Sequence, residues 1–252
     1  LMASLVSLQD ELTQKEMQVP HLRPNCEKEI VWGGEPGQQT EWSVLFIHGF
    51  SATKHEIRPL PDLIAKSLGA NIFFTRLAGH GQDGDAMGAA TLQDWQADTV
   101  EAFDVGHKLG KRVFVIGCST GCTLSALYLA NGGKADALVQ VSPNYGLRFW
   151  PAQKLLEWPV LHPLHSLTIG RDLILKPKSP EHENYWTMKY PLSAVSATAE
   201  AVKLAEETDL SPIQTPSFFA VNPKDMVISP PAAAEVAARW GGPVDYHALT
   251  QT

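Results

Sequence analysis

The sequence lacks most of the features that mark secreted and membrane proteins. It has only three cysteines, Cys26, Cys118 and Cys122, which are too few for a disulfide scaffold. No apolar run reaches the roughly 18 residues that a membrane-spanning helix needs. Residues 1–8 (LMASLVSL) lack the basic region of a signal peptide, and we interpret them as a helix start or an expression remnant. These absences, with the odd number of thiols, favour a cytoplasmic location.

Positive charge is also scarce and is not clustered. The 252 residues include 20 Lys and Arg against 27 Asp and Glu, for a formal net charge of −7. An acidic chain without a basic patch is a poor partner for nucleic acid and is not drawn to anionic membranes. No P-loop or dinucleotide motif occurs, and the pair His162 and His165 has no third ligand in sequence. We therefore expect neither a cofactor nor a metal. The oligomeric state is left open.

Short apolar runs alternate with segments of helical spacing along most of the chain. The runs lie at 43–47, 71–74, 112–116, 137–141, 217–221 and 244–249. This alternation predicts βα units and a mostly parallel sheet with helices on both faces. The rhythm breaks between 143 and 207, where prolines and aromatics accumulate. We expect a core of 1–142 and 208–252, with 143–207 as a mostly helical cap over one end of the sheet.

The sharpest motif is Gly117-Cys118-Ser119-Thr120-Gly121, a G-x-S-x-G between the run 112–116 and a helical segment at 123–130. A tight turn in this context holds a serine in strained backbone and projects its hydroxyl from the sheet. The following helix adds the positive end of its dipole. The motif predicts Ser119 as a nucleophile. The alternative is an ordinary glycine-rich turn.

Other loops follow strand ends, which is where ligands bind in open parallel sheets. His48-Gly49-Phe50 follows the run 43–47, and its glycine would let the N–H of Phe50 join that of Thr120 as a pair of oxyanion donors. We expect His48 itself to be hydrogen-bonded within its loop. The glycine-rich segment 76–81 (RLAGHG) is typical of a structural turn.

Asp225 lies in the loop after the run 217–221. A carboxylate at this place could orient and stabilise an imidazolium. It could equally be a solvated turn residue or the cap of the next helix. The sequence leaves both interpretations open.

Taken together, these motifs resemble the α/β-hydrolase superfamily and, within it, the serine carboxylesterase and monoacylglycerol-lipase-like group. The resemblance is carried by HGFSA at 48–52, RLAGHG at 76–81, Trp95 and Asp98 in LQDWQAD, GCSTG at 117–121 and DLSPIQTPSFFAVNPKDMVI at 209–228. It implies an α/β-hydrolase fold and cleavage of small acyl esters through an acyl-enzyme. In that scheme Ser119 is the nucleophile, Asp225 the acid, and Phe50 and Thr120 the oxyanion donors.

The sequence departs from the family pattern at the histidine of the triad. The family places this residue in the loop after the last strand, but the one histidine after Asp225 is His247, which lies inside the run 244–249. A position within a strand is several ångström below the catalytic end of the sheet. We therefore expect the base to be a histidine beyond Thr252, with His247 as the alternative.

Several alternatives stay open. A thioesterase or a C–C hydrolase would use the same triad and differ in its pocket, and a non-catalytic binding protein on this fold would account for the missing histidine.

Cys118 and Cys122 flank the serine, and we expect them to pack in the interior rather than act as nucleophiles. The aromatic residues of 143–207 would form either an acyl-binding wall or the core of the cap.

Overall fold

The computed structural model describes residues 5–148 and 172–249. The strands are β1 (Glu29–Val31), β2 (Thr40–Ile47), β3 (Asn71–Phe74), β4 (Gly110–Cys118), β5 (Ala137–Val141), β6 (Asp172–Ile174), β7 (Lys189–Pro191), β8 (Ser217–Val221) and β9 (Val244–Ala248). The helices are α1 (Leu5–Met17), α2 (Leu60–Leu68), α3 (Gly84–Ala89), α4 (Leu92–Leu109), α5 (Thr120–Ala130), α6 (Pro180–Tyr185), α7 (Ala194–Glu207) and α8 (Pro230–Arg239).

Within these residues the main sheet has seven strands in the order β1-β3-β2-β4-β5-β8-β9. Only β1 runs antiparallel to its neighbour, and the other pairs are parallel. Each apolar run singled out in the sequence forms one of the parallel strands. The predicted α/β-hydrolase fold, with a mostly parallel sheet and helices, is therefore confirmed. The short edge strand β1 was not predicted.

Both faces of the sheet are buried at its central strands, and alternate residues of β2 contribute to different cores. Leu45 and Ile47 of β2 join the larger cluster with Val115 of β4. Val44 and Phe46 of the same strand join the smaller cluster on the other face. Residues 44–47 are completely inaccessible to solvent. This two-sided burial explains why the central strands read as unbroken apolar runs.

Helix ends follow local capping chemistry. Thr91 and Asp94 form a reciprocal capping box at the start of α4. At α8 the side chain of Ser229 accepts a hydrogen bond from the Ala232 N–H, and Pro230 is the first helical residue. The pair Ser229 and Pro230 thus marks this helix start in the sequence itself.

Residues 143–207 lie only partly within the described structure. Among the aromatic residues considered for the cap, Phe149, Trp150 and Trp158 fall outside it, whereas Tyr145 and Tyr190 are buried. Strands β6 and β7 form a separate antiparallel pair. Helix α7 contributes three alanines to the larger core: Ala197, Ala201 and Ala205. The division into a core and a cap at 143–207 stays a prediction.

Two features are absent from residues 5–148 and 172–249. No helix there combines the length and apolar character needed to cross a membrane. No group of three or more His, Cys, Asp or Glu side chains in those ranges could hold a metal ion. His162 and His165 lie outside the described residues.

A buried ion pair attaches α1 to the sheet. Arg76 donates to Glu16 from Nε at 2.6 Å and from Nη2 at 2.9 Å, and Glu16 also accepts from the Lys28 N–H at 2.9 Å. The side chains of Arg76 and Glu16 are only 8% and 6% exposed. If either charge lost its partner, the other would stay buried with nothing to compensate for its lost solvation.

We expect Glu16→Ala to lower the free energy of unfolding by about 3–5 kcal/mol, because it leaves the buried Arg76 guanidinium without its partner. Glu41→Ala is the matched control, since its bridge to Lys111 is 3.0 Å long but has side chains 61% and 66% exposed. Such a surface pair contributes about 1 kcal/mol or less. Denaturant unfolding of the two variants measures both values, and equal small losses would contradict the interpretation.

Candidate active site

Ser119 joins β4 directly to α5 in a strained conformation. Its backbone has φ 49° and ψ −115°, a combination that places Cβ against the backbone in residues other than glycine. Three hydrogen bonds hold it there. The Ser119 N–H donates to the Val141 carbonyl at 2.9 Å, and the Ser119 carbonyl accepts from Cys122 and Asn144 at 3.0 and 3.2 Å. The tight turn predicted at 117–121 is present.

The glycines of the motif are needed for close packing. A Cβ on Gly121 would lie 2.0 Å from the Ile47 carbonyl oxygen, and one on Gly117 would lie 2.8 Å from the Cys122 nitrogen. Both separations are far inside van der Waals contact. Glycine therefore lets β2, β4 and α5 meet at the serine, which is the steric reason for the pattern.

The loop after β2 passes against the serine. A Cβ on Gly49 would lie 2.9 Å from Ser119 Cβ, so Phe50 follows at the edge of the same site. Thr120 is the first residue of α5, where helix N–H groups carry partial positive charge. Within residues 5–148 and 172–249, the N–H groups of Phe50 and Thr120 donate to no protein acceptor. Two unengaged donors beside a serine suit an oxyanion.

His48 is fixed below this loop. Its Nε2 accepts from the Leu77 N–H at 3.1 Å, so Nδ1 carries the proton and donates to the Gly49 carbonyl at 2.9 Å. Burial lowers the pKa of His48 well below its ordinary value. The imidazole is therefore neutral and has both nitrogens engaged. The expectation that His48 is hydrogen-bonded in its loop is confirmed.

The segment 76–81 is a structural turn held from α4. Trp95 Nε1 donates to the Ala78 carbonyl at 3.0 Å, and the Ala78 N–H donates to Asp98 at 2.7 Å. The ring of His80 lies tilted against that of His48, with ring centroids 4.9 Å apart, and burial lowers the pKa of His80 to about 4. The interpretation of 76–81 as a turn is confirmed, and the spacing of Trp95 and Asp98 has a physical reason.

Asp225 lies in the loop after β8. Its Oδ1 accepts from the N–H groups of Val227 and Ile228 at 2.8 and 3.0 Å, which shapes the turn. No hydrogen bond to Oδ2 occurs among the described residues, so this oxygen can accept from another group. Strand β5 separates β4 from β8, so at about 4.8 Å per strand the loops of Ser119 and Asp225 are on the order of 10 Å apart. An imidazole placed between the side chains of Ser119 and Asp225 could form a hydrogen bond to each.

The structure does not bring His247 to this place. His247 lies within β9 opposite Ala220. Its Nε2 is 3.1 Å from Asp245, and its ring stacks on Phe218 with centroids 4.9 Å apart. Asp245 and Phe218 are paired two residues further from the carboxyl end of the sheet. The imidazole therefore points away from the end at which Ser119 is located.

The cysteines beside Ser119 behave as interior residues. Cys118 and Cys122 are both buried and free, and burial raises the pKa of each thiol well above its ordinary value. A protonated thiol is a weak nucleophile. The expectation that they pack in the interior is confirmed.

Sequence reasoning missed Glu56, which lies beside the site. Its Oε2 accepts from the Gly49 N–H at 2.6 Å. Loss of solvation raises the pKa of Glu56 to about 7, although the hydrogen bonds from Gly49 and Cys118 act in the opposite direction. Its position seven residues after Gly49 carries no recognisable motif, and only the folded loop reveals the contact.

Comparisons with known proteins agree with this geometry. A family model described as "Alpha/beta hydrolase family" matches residues 44–249. A thermostable monoacylglycerol lipase from Bacillus sp. (strain H-257) is 28% identical over 211 residues, which cover 82% of this chain and 80% of the relative. The chain therefore resembles proteins of the lipase and esterase type.

Solved structures share the fold. One from work on LipS and LipT, two metagenome-derived lipolytic enzymes, superposes with a TM-score of 0.76 at 20% identity, covering 91% of this chain and 89% of that one. A monoacylglycerol lipase from Paleococcus ferrophilus superposes with a TM-score of 0.63 at 14% identity, covering 88% of both chains.

A glycine substitution usually lowers the stability of a protein more than an alanine substitution does. The strain at Ser119 predicts the opposite order at this position. Ser119→Gly should be more stable than Ser119→Ala by about 1–2 kcal/mol, because glycine adopts positive φ without a steric cost. Ser67, in α2, is the control, and there glycine should be less stable than alanine by about 1 kcal/mol. Thermal unfolding of the four variants measures both differences. The same sign at both positions would refute strain at the serine.

Proposed function

This chain belongs to the α/β-hydrolase family, and from that premise we propose that it hydrolyses carboxylic esters with Ser119 as the nucleophile. The proposal rests chiefly on one observation, the strained Ser119 with the unengaged N–H groups of Phe50 and Thr120 beside it. A serine alone is a weak nucleophile, and its backbone surroundings here suit the negative charge that develops in acyl transfer.

In the proposed reaction a histidine removes the proton from Ser119 Oγ, which attacks the carbonyl carbon of the ester. The carbonyl oxygen becomes an oxyanion and accepts hydrogen bonds from the N–H groups of Phe50 and Thr120. Collapse of this intermediate expels the alcohol, which takes the proton from the imidazolium, and leaves an acyl-serine. Water, deprotonated by the same histidine, then releases the carboxylic acid and restores the serine.

Asp225 is proposed as the acid of the triad. The turn at Val227 and Ile228 holds one carboxylate oxygen, so the orientation of the carboxyl is set before substrate binds. The other oxygen can accept from an imidazole N–H and stabilise the imidazolium. A turn residue without a catalytic role would need only the contacts with the N–H groups of Val227 and Ile228.

We propose that the base is a histidine outside the described residues rather than His247. The ring of His247 contacts Asp245 and Phe218, on the side away from the serine. Reaching Ser119 would require it to leave both contacts and to turn toward the carboxyl end of the sheet.

The substrate class proposed is an ester with an apolar acyl chain. Met226 and Val227 next to Asp225 are 80% and 68% exposed, so two adjacent apolar side chains are available to an acyl chain at the rim of the proposed site. The Bacillus relative is a monoacylglycerol lipase, so a monoacylglycerol belongs among the first substrates to test.

The test is hydrolysis of p-nitrophenyl esters from acetate to palmitate, and of a monoacylglycerol, by wild type and by Ser119→Ala. We expect Ser119→Ala to lose at least about a thousandfold in kcat, because the nucleophile is removed while the oxyanion donors stay. Equal rates for the two proteins, or no turnover by folded wild type, would overturn the proposal. Turnover of acyl thioesters alone would indicate a thioesterase.

Asp225→Ala should reduce kcat by about a thousandfold or more if the carboxylate orients the base. Asp209→Ala is the matched control, since its Oδ1 accepts from the Ser211 N–H at 3.0 Å in a similar turn before β8. Both substitutions remove a turn carboxylate, but only Asp225 lies at the carboxyl end of the sheet. Measuring kcat and the free energy of unfolding for both variants separates a catalytic role from a role in the turn alone. Similar small effects on kcat would make Asp225 a turn residue only.

A further inference from the structure

Glu56 lies beside the reacting serine, and the proposed mechanism does not use it. A Cβ on Gly49 would lie 2.7 Å from Glu56 Oε1 and 2.9 Å from Ser119 Cβ, so the carboxyl and the serine flank the same glycine. Glu56 Oε2 accepts from the Gly49 N–H at 2.6 Å. The carboxyl is thus one residue away from the proposed oxyanion donor of Phe50.

A second contact reaches the other side of the site. A Cβ on Gly49 would also lie 3.3 Å from the Cys118 carbonyl oxygen, and the Cys118 thiol is close enough to the Glu56 carboxyl to influence its pKa. Cys118 is the last residue of β4 and directly precedes Ser119. Glu56 therefore lies where the loop that carries the Phe50 N–H meets the strand end that leads into Ser119 and Thr120.

The segment around Glu56 is itself well anchored. The Glu56 N–H donates to the Thr53 carbonyl at 3.0 Å. Lys54 is 3% exposed and pairs with Glu27 and Glu29 at 3.0 and 3.1 Å. The Glu56 carboxyl is therefore presented to Gly49 from a fixed backbone.

The cations near Glu56 are committed to other partners. Lys54 pairs with acids around β1, His55 binds the Asn25 carbonyl at 2.9 Å, and Arg58 pairs with Asp62 at 2.7 Å. The titratable groups that face it from other described elements are the thiols of Cys118 on β4 and Cys122 on α5. Among the residues that the structure describes, the Glu56 carboxyl thus has a backbone hydrogen-bond donor and no counter-ion, so it can act as an acceptor whether it is neutral or charged.

We propose that Glu56 is a positioning residue, which holds Gly49 against Ser119 through the Gly49 N–H and so directs the N–H of the next residue, Phe50, at the oxyanion. This inference rests on the proposed ester hydrolysis at Ser119. What the site needs from Glu56 is an acceptor for the Gly49 N–H, not a charge. Without that acceptor the glycine N–H is left unpaired and the loop can turn to satisfy it. A donor displaced by about 1 Å costs on the order of a hundredfold in rate.

The test compares Glu56→Leu with Glu56→Gln. Leucine removes the acceptor at similar volume, and we expect kcat to fall about 10- to 100-fold with KM within about threefold. Glutamine can accept from Gly49 with its oxygen while its NH2 group faces the Cys118 sulfur. It should restore kcat to within about threefold of wild type. A purely structural role would not lower kcat of Glu56→Leu while KM stays nearly unchanged. It would also not predict that Glu56→Gln recovers kcat.

Glu29→Leu is the matched control, because it removes a partner of Lys54 and Arg58 in the same segment and leaves the Gly49 contact in place. We expect its kcat to stay within about twofold of wild type. Thermal unfolding checks that all variants are folded. Loss of kcat in Glu29→Leu equal to that in Glu56→Leu, or unchanged kcat in folded Glu56→Leu, would overturn the inference.

The outcomes also separate this inference from the proposed function. Absence of Ser119-dependent turnover in folded wild type overturns the ester hydrolysis, and this inference with it. Ser119-dependent turnover with no effect of Glu56→Leu overturns only the positioning role.

A measurement that needs no turnover tests the surroundings of Glu56. Because the pKa of this acid is raised to about 7 in the folded protein, the folded state binds the proton more tightly than the unfolded chain. Wild type should therefore lose stability relative to Glu56→Gln as pH rises from about 4.5 to 7, with no further loss above that range. A difference in melting temperature that is constant from pH 5 to 8 would contradict the burial of the Glu56 carboxyl, which is the cause of its raised pKa.

Discussion

The site depends on one constraint, the positive φ of Ser119 at the junction of β4 and α5. Such a conformation costs on the order of 1–3 kcal/mol and persists only where the surroundings enforce it. Here the enforcement comes from backbone hydrogen bonds to Val141 and Asn144, and from the close approach of Ile47 to Gly121. Every other feature of the site is arranged relative to this turn, because it determines where the hydroxyl and the first N–H of α5 project.

Around the serine, the polar groups are buried and mostly neutral. His48 and His80 have lowered pKa values, and the thiols of Cys118 and Cys122 have raised ones, in each case because burial disfavours the charged form. With these groups neutral, the N–H groups of Phe50 and Thr120 supply positive potential at the place where the proposed oxyanion would form. In a poorly solvated site, such fixed dipoles stabilise a developing oxyanion more effectively than water does.

The family was readable from the sequence because its signals are local. Strands buried on both faces need consecutive apolar residues, a tight turn needs its glycines, and α8 begins where Ser229 and Pro230 predict it. Weak local signals were missed. Strand β1 has only three residues and pairs at the edge, and α5 begins at Thr120 rather than Thr123 because the glycine-rich turn merges into the helix.

The sequence by itself determined the alternating fold, the strained turn and the loops in which the chemistry would lie, since each depends on residues close together in the chain. Tertiary structure alone decided which side chains face the serine. The pairing of β9 with β8 turns His247 toward Phe218, and a shift by one residue would place it on the other face of the sheet. The contact of Glu56 with Gly49 likewise arises from how the loop after β2 folds back on itself and against β4. No local pattern encodes such contacts, because they depend on how distant segments pack.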